Sequence, residues 1–429
     1  MKIVYVTPGS GGTFYCQNCF RDSELLKSLF ALGHDVIKVP MYLPINLDND
    51  SGIVDTPVFF GAINIYLKEK LPFYRHAPVW LERLFDSHAL LQLAAKKSGS
   101  TRATGLEEMT ISMLLGEKGR QASELDHLIN YLGQVKPDVV HLSNALLLGL
   151  AHRLKTDLGV GVVSSLQDEN EWIDLMEETY QEEVWDIMAE RAVDVDSFVT
   201  ASRYYSEKSQ KQLGIPGDKI KVIYGGVNLD GYEKSSLPFA PPVIGYLCRM
   251  SEYFGLGILV DAFIGLKKEG RFRGLRLHIT GGYTGEDKHF VKELLKKIST
   301  SGFGKDVEIF RNFDKENRIK FLKSLTLLSV PVPGGEAFGA YQVEALAAGV
   351  PVVQPNVGCF PEFVEATNGG VIYEPNDSET LAKSIASLLS DPDRVRKLSE
   401  QGRKIVLERF SMGNMAKDIV KVYEEVLNK

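Results

Sequence analysis

Short apolar runs recur along the chain. Each is closed by polar or glycine-rich residues, and several are followed by a stretch with helical spacing. Ile3-Val-Tyr-Val-Thr7 is the first run, Gly9-Ser-Gly-Gly-Thr13 is a tight glycine loop after it, and residues 22–32 form an amphipathic pattern closed by Gly33. His34-Asp-Val-Ile-Lys-Val39 is the next strand, so the chain begins as βαβ with a parallel sheet. Further buried strands are predicted at 137–143, 160–166 and 197–202. Leu237-Pro-Phe-Ala-Pro-Pro242 reads as a linker by composition. The rhythm then restarts, with strands at 243–248, 275–280, 307–310 and 325–330, a helix at 257–268 and an amphipathic last helix from about 415 to 427.

Length and charge narrow this α/β picture. A chain of 429 residues with 44% apolar content is too long for one ordinary core and suits two domains. No apolar run is long enough to cross a bilayer, and Met1-Lys-Ile-Val-Tyr-Val6 is too short for the apolar part of a signal peptide. The expectation is a cytoplasmic protein with at most peripheral membrane contact. Residues up to Lys234 hold 23 Lys+Arg against 32 Asp+Glu, and the remainder hold 26 against 24, a balance that disfavours nucleic acid as a partner. The four cysteines make no disulfide framework. Cys16-Gln-Asn-Cys19 is a single C-x-x-C, open to a metal or thiol role or to simple burial of small residues. A nicotinamide dehydrogenase is disfavoured, because the second strand closes on Lys38-Val39-Pro40 without an acidic residue.

The densest chemistry lies in Glu336-Ala-Phe-Gly-Ala-Tyr-Gln-Val-Glu344. Glu336 follows a Pro/Gly-rich loop, Pro331-Val-Pro-Gly-Gly335. Glu344 falls in a short apolar helix that Gly349 stops as a C′ glycine, with Val350-Pro-Val-Val353 as the next strand. One carboxylate thus precedes the helix and the other lies about one turn inside it. Between them, the free N–H groups near Phe338, Gly339 and Ala340 form an anion site. Such an element grips a polyol, a diphosphate and a ribose together. Taken alone, Glu336 reads equally well as a loop carboxylate capping the helix.

This motif resembles the E-x7-E signature of the family-4 retaining glycosyltransferases. The likeness continues through Glu344-Ala-Leu-Ala-Ala-Gly-Val-Pro-Val-Val353 and Val357-Gly-Cys-Phe-Pro-Glu362. The resemblance implies a GT-B fold, two Rossmann-like domains facing across a cleft with the C-terminal helix packing back on the first. The acceptor domain would take 1–235 together with the final helix 411–429, and the nucleotide-sugar donor domain 236–410. The implied activity is a metal-independent, hexosyltransferase-type transfer from a nucleotide-diphosphate sugar to a carbohydrate, lipid-linked or small-molecule hydroxyl, in glycan or polysaccharide assembly, without a cofactor. Glu336 would hold sugar hydroxyls and balance charge at the anomeric carbon, Glu344 would bridge the ribose hydroxyls, and Arg249 would meet the diphosphate. Phe338, Gly339 and Ala340 would present amides, while Gly11, Gly12, Gly281 and Gly282 would let the backbone approach the donor. His141 and Asp168 would face the acceptor. Residues from 42 to about 132 match the family poorly, and 98–105 reads as an acceptor lid or as extra packing.

Two positions depart from the family pattern. Phe254, in Arg249-Met-Ser-Glu-Tyr-Phe254-Gly255, stands where a Lys is expected. An aromatic side chain does not replace a phosphate-binding cation. Gln167 stands at the strand end where a His is frequent. It positions by hydrogen bonds but cannot act as a base. These departures favour one alternative, a GT-B protein that binds nucleotide or sugar without turnover; another alternative, a GT-B nucleotide-sugar epimerase, would need acid/base pairs in the cleft, which the sequence does not place. Base, sugar, acceptor and oligomeric state are not read from the sequence.

Overall fold

The computed structural model describes residues 1–8, 14–42, 54–55, 59 and 105–428. The glycine loop with Gly11 and Gly12, and most of the poorly matching stretch with its lid expectation, lie outside the described residues. The chain divides into two compact units. The first comprises Met1–Gly12, Asn18–Ile223 and Met415–Lys429, and the second Thr13–Gln17 and Tyr224–Asn414. Leu237 to Pro242, linker-like in composition, falls inside the second unit.

Among the described residues, the first unit is built on a parallel sheet of seven strands: β1 (Lys2–Thr7), β2 (Asp35–Pro40), β3 (Val54–Asp55), β4 (Val139–Leu142), β5 (Gly161–Leu166), β6 (Ser197–Thr200) and β7 (Ile220–Val222). Their order in the sheet is β3-β2-β1-β4-β5-β6-β7. Ile3, Val4, Tyr5 and Val6 are wholly buried, as a central parallel strand with both faces covered requires. Ile3 pairs with Val36 on one side and Val139 on the other. From Met415 onward the last helix, Met412–Leu427, belongs to this unit. Ile419 and Tyr423 are fully buried, and a Cβ on Gly161 would meet Val426 Cγ1 at 2.7 Å. The C-terminal helix therefore packs on the first unit.

The second unit repeats the plan with six parallel strands: β8 (Val243–Leu247), β9 (Arg276–Thr280), β10 (Val307–Phe310), β11 (Leu327–Leu328), β12 (Val352–Pro355) and β13 (Gly370–Tyr373). Their order is β10-β9-β8-β11-β12-β13. The order reverses between β8 and β11, and open α/β sheets bind ligands at such switch points, beyond the carboxyl ends of the strands. The chain leaving β8 leads straight to Arg249. The chain leaving β11 runs through the loop that carries Glu336 into the helix Ala340–Ala347. Gly245, inside β8, faces the Leu325 side chain, where an added Cβ would come within 2.1 Å of Cδ1.

Candidate functional site

The turn before the helix Ala340–Ala347 is shaped by glycines. Gly335 has φ 71°, and a Cβ there would meet Gly358 Cα at 2.6 Å. Gly339 has φ 72° and is the N-cap, so it supplies no side-chain cap of its own. The helix start is capped instead by Gln17, whose Oε1 accepts from the Ala340 N–H at 2.8 Å. The Gln17 amide nitrogen donates to Glu336 Oε1 at 2.7 Å, and the Tyr341 hydroxyl donates to Glu336 Oε2. Glu336 is thus a 3% exposed carboxylate with donors on both oxygens.

Glu344 is held more tightly still. Its Oε1 accepts from the Tyr15 hydroxyl at 2.9 Å. Its Oε2 accepts from the Tyr232 hydroxyl and from Arg318 Nε, each at 2.8 Å. Burial alone would lower the Arg318 guanidinium, but the adjacent Glu344 and the two tyrosines push it above its ordinary value. The hydroxyls of Tyr15, Tyr232 and Tyr341 are all raised, first by burial and then by the carboxylate beside each, so they stay protonated donors.

Arg249 is fixed by a fork. Its Nε donates to Asp287 Oδ2 at 2.8 Å and its Nη2 to Asp287 Oδ1 and Thr284 Oγ1, each at 3.2 Å. The Phe14 ring lies 5.2 Å from the guanidinium carbon. Gly281 (φ 125°) and Gly282 (φ 68°) follow β9 in conformations suited to glycine, and a Cβ on Gly281 would strike Cys248 O at 2.1 Å. Gly281 O accepts from the Tyr15 N–H at 2.7 Å, and Phe14 forms an antiparallel bridge with Gly282.

The remaining candidates are less available. Phe338 is a core ring, 6.4 Å from Phe410 and 6.2 Å from Phe363, and its carbonyl accepts from Gln342 Nε2 and Cys359 Sγ. Phe254 is buried against Tyr253 and brings no cation to the turn after β8. In the first unit His141 is completely buried. Its Nδ1 meets the Tyr423 hydroxyl at 2.6 Å and its Nε2 the Ser165 hydroxyl at 2.8 Å. Burial, helped by Arg21, holds its pKa down at about 3. His141 therefore pins the last helix to the sheet as a neutral ring. Gln167 is 8% exposed and donates to the Ser143 carbonyl, while its backbone N–H is taken by Glu169. Asp168 has φ 55° and precedes the helix Glu169–Ile173 without making a side-chain cap bond. Cys16 and Cys19 are disulfide-bonded, so neither sulfur is a thiolate, and Cys248 and Cys359 are buried free thiols.

The second unit thus connects Arg249, Gly281, Gly282, Glu336, Ala340 and Glu344 through a few side chains that sequence reasoning did not find. These are Phe14, Tyr15, Gln17, Tyr232, Asp287, Arg318 and Tyr341. Only Tyr341 carried a local signal, lying inside the E-x7-E segment; Tyr15 and Gln17 reach their carboxylates across more than 300 residues of chain.

Residues 232–405 match the family model described as glycosyl transferases group 1, and residues 109–230 the model described as glycosyltransferase family 4. The chain is 27% identical over 240 residues to an uncharacterised glycosyltransferase of Methanocaldococcus jannaschii, covering 53% of this chain and 59% of that protein. It is 24% identical over 226 residues to a D-inositol 3-phosphate glycosyltransferase of Corynebacterium urealyticum, covering 52% and 53%. The chain spans about half the length of these curated relatives. Among solved structures, Anabaena HepE in complex with UDP and glucose is similar with a TM-score of 0.69 and 17% identity over 99% of both chains, a likeness of fold. Among the described residues, no helix is long and apolar enough to cross a membrane.

Proposed function

Because the chain belongs to the family-4 glycosyltransferases of the GT-B fold, we propose that it is a retaining glycosyltransferase. It would move a hexosyl group from a nucleotide-diphosphate sugar to a hydroxyl of a carbohydrate, lipid-linked or small-molecule acceptor, in glycan assembly. One observation carries this reading: two buried carboxylates, Glu336 and Glu344, stand before and inside the first turns of one helix at the switch point of the second sheet. UDP and glucose in the fold relative HepE support a nucleotide sugar as donor.

In this reaction the glycosidic C1–O bond of the donor breaks and its electron pair leaves on the diphosphate. The acceptor oxygen bonds C1 on the same face, and its proton passes to the departing phosphate. Positive charge grows at C1 and negative charge on the phosphate, so catalysis rests on groups already aimed at both. Glu336 faces the first charge and takes sugar hydroxyls. Arg249, held in orientation by Asp287, and the N–H groups at the start of the helix Ala340–Ala347 face the second. Glu344 is the ribose partner. Gln167 lacks a titratable group, which suits a mechanism in which the leaving phosphate is the base. Asp168, at the carboxyl end of β5, is the acceptor-side residue of this reading.

A second reading, nucleotide or sugar binding without turnover, is favoured by buried Phe254 in place of a phosphate-binding cation. Proton NMR of the anomeric signal separates the two, with UDP-glucose, GDP-mannose and ADP-glucose tested against a panel of hydroxyl acceptors. An α-linked product from an α-linked donor is the expected result. A β-linked product contradicts retention, and donor binding with no product supports the second reading.

A further inference from the structure

We propose that residues 14–17 are an internal occupant of the donor groups, which a nucleotide sugar must displace in order to bind. The proposal rests on the donor-site reading above and adds a competitor built into the chain. All the contacts involved lie inside the second unit, to which Thr13–Gln17 belongs.

One short segment converges on the groups that the donor needs. Gln17 accepts from the Ala340 N–H and donates to Glu336 Oε1, at 2.8 and 2.7 Å. A sugar hydroxyl placed between a helix amide and a carboxylate would do the same, accepting from one and donating to the other. The Tyr15 hydroxyl donates to Glu344 Oε1, as a ribose hydroxyl would. The Phe14 ring covers the Arg249 guanidinium at 5.2 Å, the group assigned to the diphosphate. The backbone of Phe14 and Tyr15 is bonded to Gly282 and Gly281.

Helix capping alone explains the Gln17–Ala340 bond. It does not explain why the same segment also engages Glu336, Glu344, Arg249 and the two glycines. Gln17 is only partly buried, so its departure does not open the core, whereas Tyr15 is 2% exposed. When a competent state is populated only in part, apparent affinity falls by that fraction. Weakening the occupant therefore raises donor affinity, the opposite of what removal of a supporting residue does.

The test is calorimetric titration of wild type and Gln17→Ala with UDP-glucose, GDP-mannose and ADP-glucose, with Tyr15→Phe as a second variant that keeps the ring and loses one hydrogen bond. Gln17→Ala is expected to bind the accepted donor about tenfold more tightly than wild type, about 1.4 kcal/mol, and Tyr15→Phe a fewfold more tightly. Binding by Gln17→Ala alone supports the proposal as well. A wild type that binds a donor while Gln17→Ala binds it equally or more weakly overturns the proposal and leaves the donor site standing. If no protein binds any of the three, the donor-site reading itself fails and the proposal falls with it.

Discussion

The Arg318 guanidinium donates to the Glu344 carboxylate at 2.8 Å with both side chains less than a tenth exposed. The pair has no solvent to fall back on, and Tyr15 and Tyr232 satisfy what remains of the carboxylate. Arg318→Met should therefore destabilise the protein by about 3–5 kcal/mol, because it strands a buried charge. Adding Glu344→Gln to Arg318→Met should recover much of that loss, since no charge then remains. Urea denaturation of the single and double variants measures both effects; a double variant no more stable than Arg318→Met contradicts the assignment.

Glu336 should matter to turnover far more than to folding. Glu336→Gln keeps the size of the side chain but removes the charge proposed to face the anomeric carbon. A fall in kcat of about 100-fold or more is expected, the scale of losing one preorganised electrostatic group. Steady-state kinetics checks it, and a change below about threefold contradicts the role.

Phe254→Lys restores the cation that the family pattern carries, but at a buried position. Burying an unpaired ammonium should lower stability by several kcal/mol in the free protein. A nucleoside diphosphate should then raise the thermal midpoint of Phe254→Lys more than that of wild type. Equal ligand shifts in both proteins would mean that position 254 does not look toward the phosphates.

His141 gives a pH signature. Its pKa is about 3 in the fold, depressed by burial, against about 6.5 in the unfolded chain. Below pH 6.5 the unfolded state takes up a proton that the folded state refuses. Its contribution is therefore present in full above about pH 6.5 and is lost as pH falls toward 3, at up to about 1.4 kcal/mol per pH unit. His141→Gln lacks this term, so its stability should fall less steeply than wild type between pH 6.5 and 4. Parallel curves from denaturant titrations would contradict a neutral buried His141.

The sequence carried the βαβ rhythm well, because central strands such as β1 and β8 are continuous apolar runs bounded by breakers. It also carried the loop-helix element, since Gly335, Gly339 and Gly349 mark its bends by residue type; each has a φ near 70°. Strands β7 and β13 were missed: β7 is a three-residue edge strand with Lys221 at its centre, and β13 is a four-residue edge strand opening on Gly370. The partners of the candidate residues were not legible either. Nothing local to Tyr15, Gln17 or Arg318 indicates that they meet Glu344 or Glu336, because those contacts are made by the tertiary fold. His141 illustrates the converse, a chemically versatile residue whose strand-end position invited an acceptor role and which the fold spends on Tyr423 and Ser165.

Donor binding through Arg249 is the central requirement of the proposed transfer. The direct measurement is the change in thermal midpoint and the calorimetric Kd for UDP-, GDP- and ADP-sugars with wild type and Arg249→Ala. One donor should bind wild type and lose about 100-fold in affinity in Arg249→Ala, the scale of removing a charged hydrogen-bonding partner. Equal affinity in the two proteins, or binding of no nucleotide sugar by wild type or by Gln17→Ala, would contradict it.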